Sequence, residues 1–306
     1  MKLLRSLDHL PTELLRGAVS IGNFDGVHRG HARIVERLIA KAREVNGPAV
    51  VFTFDPHPVR LLRPEAAPPP LTWTERKAEL LVELGVDSMI AFPTDEALLA
   101  LEAEEFFRDI VREKLDARAM VEGPNFHFGR GRRGDIASLT DLCRQADIAL
   151  EIVEPLMCGE RYVSSSRVRE CVAAGEVRQA ADMLTRPYRI RGLVTHGARR
   201  GSQIGFPTAN IDAVDTLTPA DGVYACRAIV DKRTWPAAVN IGPNPTFAEN
   251  ARKIEAHLLD FSGSLYGQPL EVEFLQRLRG VQAFDSVEQL KKQLADDIET
   301  TRGVAS

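Results

Sequence analysis

The sequence predicts an α/β fold with a doubly wound parallel sheet, followed by a small all-β barrel and a closing amphipathic helix. Three observations predict it. Up to about Thr185, short apolar runs alternate with amphipathic stretches, the pattern of a parallel sheet with helices on both faces. After Arg186-Pro187 the pattern changes to short β-like runs separated by Gly, Pro and Asn turns, as in an antiparallel barrel. The length, 306 residues, is enough for two domains that each bury a core. The expected boundary divides residues 1–186 from residues 187–306.

Taken in order, buried strands are expected at Ala18–Ile21, Ala49–Phe54, Ser88–Phe92, Ala119–Glu122 and Ala149–Val153, each an apolar run of strand length. Helices are expected between them at His31–Glu44, Thr74–Leu84, Ala103–Leu115 and Ser138–Ala146. In the first of these, Ile34, Val35, Leu38, Ile39 and Ala42 share one face, and Asn46-Gly47 can end the helix. A helix over Glu176–Leu184 closes the first half. The β-like runs of the second half are Tyr188–Thr195, Val223–Val230, Ala237–Ile241, Ile254–Leu259 and Leu270–Phe274, and Ser286–Thr301 is the closing amphipathic stretch. Pro68-Pro69-Pro70 reads as a surface loop.

Hydrophobic residues make up 44% and charged residues 27% of the chain, ordinary values for a soluble globular protein. A net charge of −4 leaves no global footprint for nucleic acid. Two local basic runs, Arg130 to Arg133 and Arg199-Arg200, are still able to meet phosphates. Cys143, Cys158, Cys171 and Cys226 are scattered without metal-ligand spacing, and reduced cytoplasmic thiols are expected. Met1-Lys2-Leu3-Leu4-Arg5 lacks the apolar run of a signal peptide, and no apolar stretch is long enough to span a bilayer.

The chemistry concentrates first in Ser20-Ile21-Gly22-Asn23-Phe24-Asp25-Gly26-Val27-His28-Arg29-Gly30-His31. This stretch joins a strand to a helix, where backbone N–H groups and the helix dipole gather around an anion. Gly22, Gly26 and Gly30 allow a tight turn and a close approach of ligand to backbone. His28 and His31 are three apart, so both rings can reach one side of the first helical turn and donate to phosphate oxygens. A strand-turn-helix with structural glycines and solvated histidines would account for H-x-G-H taken alone.

Further distinctive segments sit at later strand ends, where ligands bind in such sheets. Thr53-Phe54-Asp55-Pro56-His57-Pro58 is a stiff exit with a histidine on its rim. Gly123-Pro124-Asn125-Phe126-His127-Phe128-Gly129-Arg130-Gly131 interleaves aromatic residues with glycines and bases, which suits a flat ring with a phosphate tail. Val163-Ser164-Ser165-Ser166-Arg167-Val168-Arg169 offers hydroxyls at a helix start. In the second half, Gly197-Ala198-Arg199-Arg200-Gly201-Ser202-Gln203-Ile204-Gly205 leads into Phe206-Pro207-Thr208-Ala209-Asn210. Asn240-Ile241-Gly242-Pro243-Asn244-Pro245-Thr246-Phe247 and Glu255-Ala256-His257-Leu258-Leu259-Asp260-Phe261 follow. A stiff turn, a Gly-rich loop, an N-cap and a hairpin are the plain structural alternatives for these segments one at a time.

Together, G-N-F-D-G-V-H-x-G-H, T-F-x-P-H-P, the serine-rich segment, G-F-P-T-A-N and E-x-H-L-L-D-F resemble the prokaryotic bifunctional riboflavin kinase/FMN adenylyltransferases, the FAD synthetases. The resemblance runs from about Ala18 to about Asp297. It departs from the family pattern at Asn125 for Asp, His127 for Arg and Ser202 for Arg.

The resemblance implies a nucleotidyltransferase domain followed by a six-stranded flavokinase barrel with a C-terminal helix. It also implies ATP-dependent phosphorylation of riboflavin to FMN, then adenylylation of FMN to FAD with release of pyrophosphate. His28, His31 and Arg169 are the implied catalytic residues of adenylyl transfer, and Glu255 is the implied base of the kinase. Gly22, Phe24, Asp25, Gly26, Ser165, Ser166, Gly197, Gly205, Thr208 and Asn210 are implied in ATP binding. His57, Asn125, Phe126, Phe128, Asn240 and Phe247 are implied in flavin binding. Thr208 and Asn210 are oxygen ligands suited to Mg2+ or another divalent cation. The implied partners are riboflavin, FMN and ATP, with no nucleic acid and no membrane, in a monomeric or weakly self-associating cytoplasmic protein. Two other readings remain: a single-activity FMN adenylyltransferase whose barrel only binds flavin, and a non-catalytic flavin or nucleotide sensor.

Overall fold

The structure, a computed structural model, describes residues 2–197, 205–244 and 249–305. The chain divides into two compact units, one made of most of the chain up to Ser164, the other of Pro69–Thr72 and the chain from Ser165 onward.

The first unit is built on a parallel sheet of six strands in the order β1-β4-β3-β2-β5-β6. The strands are β1 (Lys2–Leu4), β2 (Ala18–Ile21), β3 (Ala49–Asp55), β4 (Ser88–Pro93), β5 (Ala119–Glu122) and β6 (Ala149–Ile152). The helices are α1 (Arg29–Glu44), the single turn α2 (Val59–Leu62), α3 (Thr74–Glu83), α4 (Glu96–Ala100), α5 (Ala103–Phe106) and α6 (Ile136–Gln145). Consecutive strand residues feed opposite faces. Val50 and Phe52 join the cluster that holds Phe106, Phe107, Ile110 and Leu139, while Ala49 and Val51 join the cluster that holds Val35 and Leu38 of α1 and Ala78 and Leu81 of α3. The sheet is therefore covered on both sides. Burial of Val35 and Leu38 contributes about 1.5–3 kcal/mol each.

From β2 the chain winds through β3 and β4 in one direction, then returns to β5 and β6 in the other. The winding reverses between β2 and β5, and the strand C-termini at such a switch point are where sheets of this kind bind ligands. The pairing of these two strands runs through Ala18 with Ala119 and Val19 with Met120. Beyond it, Glu122 takes over and accepts the Ile21 N–H at 2.7 Å.

The five expected strands of this unit are present to within a residue or two, and β1 adds an edge that three residues before Arg5 did not announce. Two helix starts move. His28 caps α1, so the helix begins at Arg29 rather than His31. Asp135 caps α6 by accepting the Ser138 N–H at 2.9 Å, so Ser138 belongs to the first turn. The expected helix Ala103–Leu115 is α-helical only over α5 and continues as a π-helix from Phe107 to Lys114.

The second unit holds helices α7 (Ser165–Ala174) and α8 (Val177–Leu184), then a closed antiparallel barrel in the order β10-β13-β12-β11-β14-β9. Upstream in the first unit, β7 (Met157–Cys158) and β8 (Arg161–Tyr162) form a small hairpin. The barrel strands are β9 (Tyr188–Thr195), β10 (Ala209–Asp212), β11 (Gly222–Val230), β12 (Arg233–Asn244), β13 (Glu249–Leu258) and β14 (Pro269–Arg279). Five correspond to the expected runs. The sixth, β10, begins at the last two residues of G-F-P-T-A-N and runs on to Asp212, a strand of four residues hidden by the nearby Pro207 and the polar Asn210 and Asp212. The closing helix α9 spans Val287–Ala305 and is tied to β14 by the ion pair of Arg279 with the buried Asp297, at 2.8 Å.

Candidate active sites

In the first unit the G-N-F-D-G-V-H segment turns at the C-terminal end of β2, at the point where the winding of the sheet reverses. Its backbone is tightly held: the Gly22 N–H donates to the Phe52 carbonyl at 3.0 Å, and the Asn23 carbonyl accepts Thr53 Oγ1 at 3.2 Å and Lys77 Nζ at 2.7 Å. Gly26 has φ +82°, and Phe24 and Val27 also adopt positive φ, at +46° and +41°. Those values are strained for bulky residues, and buried packing of both side chains holds them there.

The turn delivers His28 to the N-cap of α1, where Nδ1 of its buried ring accepts the His31 N–H at 3.3 Å. The two imidazoles stack with centroids 3.7 Å apart and planes 11° apart, and the Phe24 ring lies 5.0 Å from His31. Gly30 sits close to its neighbours: a Cβ there would stand 3.1 Å from the His28 ring, a tight contact, and 3.6 Å from the Val163 carbonyl, an ordinary one. A side chain in the middle of H-x-G-H would therefore press on the His28 ring. The Val163 distance also shows the chain just before the serine segment passing over the first turn of α1. Because Nδ1 of His28 is an acceptor, the proton of the neutral ring resides on Nε2, which is a donor.

Two buried ionisable side chains frame this turn, and the sequence reading singled out neither. Burial pushes the Lys77 ammonium pKa down, opposed by Asp25 and then Asp55. Burial pushes the Glu122 carboxyl well above its ordinary range, opposed by the Ile21 N–H. The available signal was position: Lys77 interrupts an apolar helix face, and Glu122 ends a strand that is otherwise fully apolar.

The other predicted strand-end residues lie where expected along the sheet. His57 follows β3, and its Nδ1 accepts the Val59 N–H at 3.1 Å. Asn125 is exposed past β5, Phe126 is half-buried, and Phe128 is buried in the core against Phe106. Phe126 stacks on Phe128 at 5.4 Å, so Phe128 supports the outer ring from beneath. In the second unit Ser165 and Ser166 open α7, and Arg169 Nε donates to the Pro69 carbonyl at 2.9 Å.

The barrel brings the kinase candidates into register. Asn210 of β10 pairs with Glu255 of β13, and Glu255 pairs with Asn240 of β12. Directly paired residues share a sheet face, so the three side chains form one row. Ile254, Ala256 and Leu258 are buried inside, while Glu255 and His257 are half-buried, as alternation predicts. Leu259 departs from that alternation: it follows the strand end and is buried, its N–H donating to the Pro236 carbonyl.

The mouth of the row is shaped by glycines and by His257. A Cβ on Gly197 would stand 2.1 Å from the Asn210 amide nitrogen, so Gly197 forms a cradle against that side chain. Gly205 has φ +95°. His257, two residues along β13 from Glu255, bonds the Pro207 carbonyl at 2.7 Å and meets the Phe206 ring edge-on, which fixes the segment carrying Thr208. Phe247, Ser202 and the basic Arg199-Arg200 pair lie outside the described residues. Among the described residues no cluster of three or more His, Cys, Asp or Glu side chains could hold a metal ion. Thr208 and Asn210 supply neutral oxygens, a donor set that fits a hard cation whose remaining ligands come from phosphates.

Comparison with known proteins finds one family for each part of the chain. Residues 11–167 match the FAD synthetase family and residues 184–305 match the riboflavin kinase family. The bifunctional riboflavin kinase/FMN adenylyltransferase of Pseudomonas fluorescens is 37% identical, covering 100% of this chain and 98% of its own. The enzyme of that name from Escherichia coli K12 is 35% identical over 99% and 97% of the two chains. That from Bacillus subtilis 168 is 31% identical over 93% and 91%. A crystal structure described as a macrolide-efflux protein from Streptococcus pneumoniae has the same fold, with a TM-score of 0.86 and 30% identity over 98% of each chain. No described helix of the present chain is long and apolar enough to cross a membrane.

Proposed function

Because this chain belongs to the bifunctional riboflavin kinase/FMN adenylyltransferase family, we propose that it makes FAD by two reactions. ATP phosphorylates riboflavin to FMN, and a second ATP adenylylates FMN with release of pyrophosphate. The observation that carries this reading is the presence of two separate constellations in one chain: the stacked His28 and His31 at the head of α1, and the Asn210–Glu255–Asn240 row across the barrel.

In the kinase reaction Glu255 takes the proton of the ribityl 5′-hydroxyl as that oxygen attacks the γ-phosphorus of ATP, and ADP leaves. The Thr208 hydroxyl and the Asn210 side-chain oxygen would hold Mg2+ or another divalent cation, which neutralises charge on the phosphates. The Gly197 cradle supports that assignment by holding the Asn210 amide in place. Gly205 shapes the loop over the nucleotide, and Asn240 and Phe247 contact the flavin.

In adenylyl transfer the FMN phosphate attacks the α-phosphorus directly, and the bond to pyrophosphate breaks. His28 Nε2 and His31 donate to the charge that develops there. Backbone groups of Gly22, Phe24, Asp25 and Gly26 line the nucleotide side of the turn. Ser165, Ser166 and Arg169 hold the departing pyrophosphate. His57, Asn125 and Phe126, with Phe128 behind it, contact the flavin.

The proposed division of labour falls at Arg186-Pro187, in a cytoplasmic protein that is monomeric or weakly self-associating. Four free cysteines fit a reducing compartment. The test is incubation with riboflavin and Mg–ATP followed by separation of the flavins. FAD is expected. Accumulated FMN would leave only the kinase, and unchanged riboflavin would remove the kinase.

A further inference from the structure

Lys77 is a buried cation that the reaction scheme above does not use. It projects from α3 to the underside of the anion-binding turn, where Nζ donates to the Asn23 carbonyl at 2.7 Å. Thr53 Oγ1, from the neighbouring strand β3, reaches the same oxygen at 3.2 Å. Both donors converge on the main chain, although Oδ1 of Asn23 is itself buried without a hydrogen bond among the described residues.

The direction of that carbonyl has a consequence. The Asn23–Phe24 peptide is trans, so its C=O and the Phe24 N–H point in opposite directions across a rigid plane. Anchoring the oxygen on the Lys77 side turns the N–H to the other side. The Phe24 N–H makes no hydrogen bond among the described residues, and Phe24 is held at φ +46°. A strained residue with an unused donor, in a turn that leads into a helix N-terminus, is the arrangement of an anion site. The Lys77 charge then adds to the positive field below the turn, with Asp25 and Asp55 as its counter-charges.

We propose that Lys77 is a positioning residue for adenylyl transfer: with Thr53 it pins the Asn23 carbonyl, so that the Phe24 N–H is aimed at a phosphate of ATP. This rests on the assignment of the turn as the adenylyl-transfer site. Lys77 does not touch the reacting atoms. It sets the angle at which the backbone meets them.

The test uses the full-length protein, with riboflavin phosphorylation in the other unit as an internal standard. In Lys77→Met, kcat/KM for ATP in FMN adenylylation is expected to fall by about tenfold to a hundredfold, since misplacing a group by about 1 Å costs up to about a hundredfold. The KM for FMN and the rate of riboflavin phosphorylation are expected to stay near wild type. Thr53→Val removes the second donor at nearly constant volume and is expected to lower kcat/KM for ATP as well, to a smaller extent. Lys77→Arg, which keeps charge and donor, is expected to recover part of the loss. A Thr53→Val protein with unchanged ATP kinetics, or a Lys77→Met protein whose KM values for ATP and FMN change equally, overturns the proposal. His28→Ala separates this from the site assignment itself: if it leaves FAD formation intact, the turn is not the site, whatever Lys77 does.

Discussion

Because Nδ1 of His28 accepts the His31 N–H, one nitrogen of the ring serves the helix, and the proposed adenylyl transfer assigns the other, Nε2, to a phosphate. These roles can be separated by substitution. Asparagine is a good N-cap and can accept the same N–H, but it lacks a donor at the position of Nε2. Both His28→Ala and His28→Asn are expected to lose about a hundredfold or more in FMN adenylylation, the usual cost of removing one transition-state donor. Only His28→Ala should lower thermal stability as well. Flavin product analysis beside a thermal melt reads both effects, and normal FAD formation by His28→Asn would leave His28 a cap and nothing more. Glu122 makes a second residue-scale case. Its folded pKa is raised, so the folded state binds more protons than the unfolded state once pH exceeds the unfolded value of about 4.3. Its contribution is greatest below that value and is lost as pH rises toward the folded one. Glu122→Gln keeps an acceptor for the Ile21 N–H and removes the titration. The variant is expected to lose less stability than wild type as pH rises above about 4.3 in denaturant unfolding, and equal slopes for both would refute the assignment.

At the scale of elements, Glu255 owes its position to β13. Alternation along the strand puts Ile254, Ala256 and Leu258 inside and Glu255 outside, where pairing with Asn210 and Asn240 aligns it with the row. Glu255→Gln keeps the shape and loses the basicity, so riboflavin phosphorylation is expected to fall roughly a hundred- to ten-thousandfold while supplied FMN is still converted to FAD. Loss of both reactions would point to misfolding, and normal FMN formation would remove Glu255 from the mechanism. The alternation behind this prediction was legible in the sequence because both of its faces are written in residue type. The same holds for the sheet strands, whose apolar runs are short and complete. What was not legible depends on contacts from outside the element. β10 is a strand only because β9 and β13 flank it, since its own residues read as a proline-led loop. α5 passes into a π-helix with no glycine or proline to announce it. Lys77 stands on the same face of α3 as Leu80 and Leu81, but its neighbours Glu75, Arg76 and Glu79 give the stretch the look of a solvated helix, and the packing of α3 against the sheet is what buries it.

At the scale of the whole molecule, the sequence places the change of pattern at Arg186-Pro187, and the compact units divide near Ser165. The difference is the pair α7 and α8. Val177, Ala180, Met183 and Leu184 bury one face of α8, Arg178 bonds Gln276 of β14 at 2.6 Å, and Gly175 packs against the Tyr224 hydroxyl. A fragment starting at Arg186 is expected to fold and phosphorylate riboflavin, and one starting at Ser165 to do the same with a higher melting temperature. Product analysis and melts of the two fragments, beside the full-length protein, check this. An inactive shorter fragment would place α7 and α8 inside the kinase.

The closed barrel turns the register of β13 into a question of parity. Glu255 is paired on both sides at once, with β10 and with β12, so β13 cannot slide against one neighbour without breaking with the other. Inserting or deleting a single residue between Glu249 and Glu255 would exchange the carboxylate with Ile254 or Ala256, sending a charge into the interior and an aliphatic group to the face that carries Asn210 and Asn240. A change of two residues leaves inside and outside as they were. Odd steps in the length of this strand reverse its inner and outer faces and even steps keep them, a parity set by the alternation of the strand before any catalytic chemistry enters.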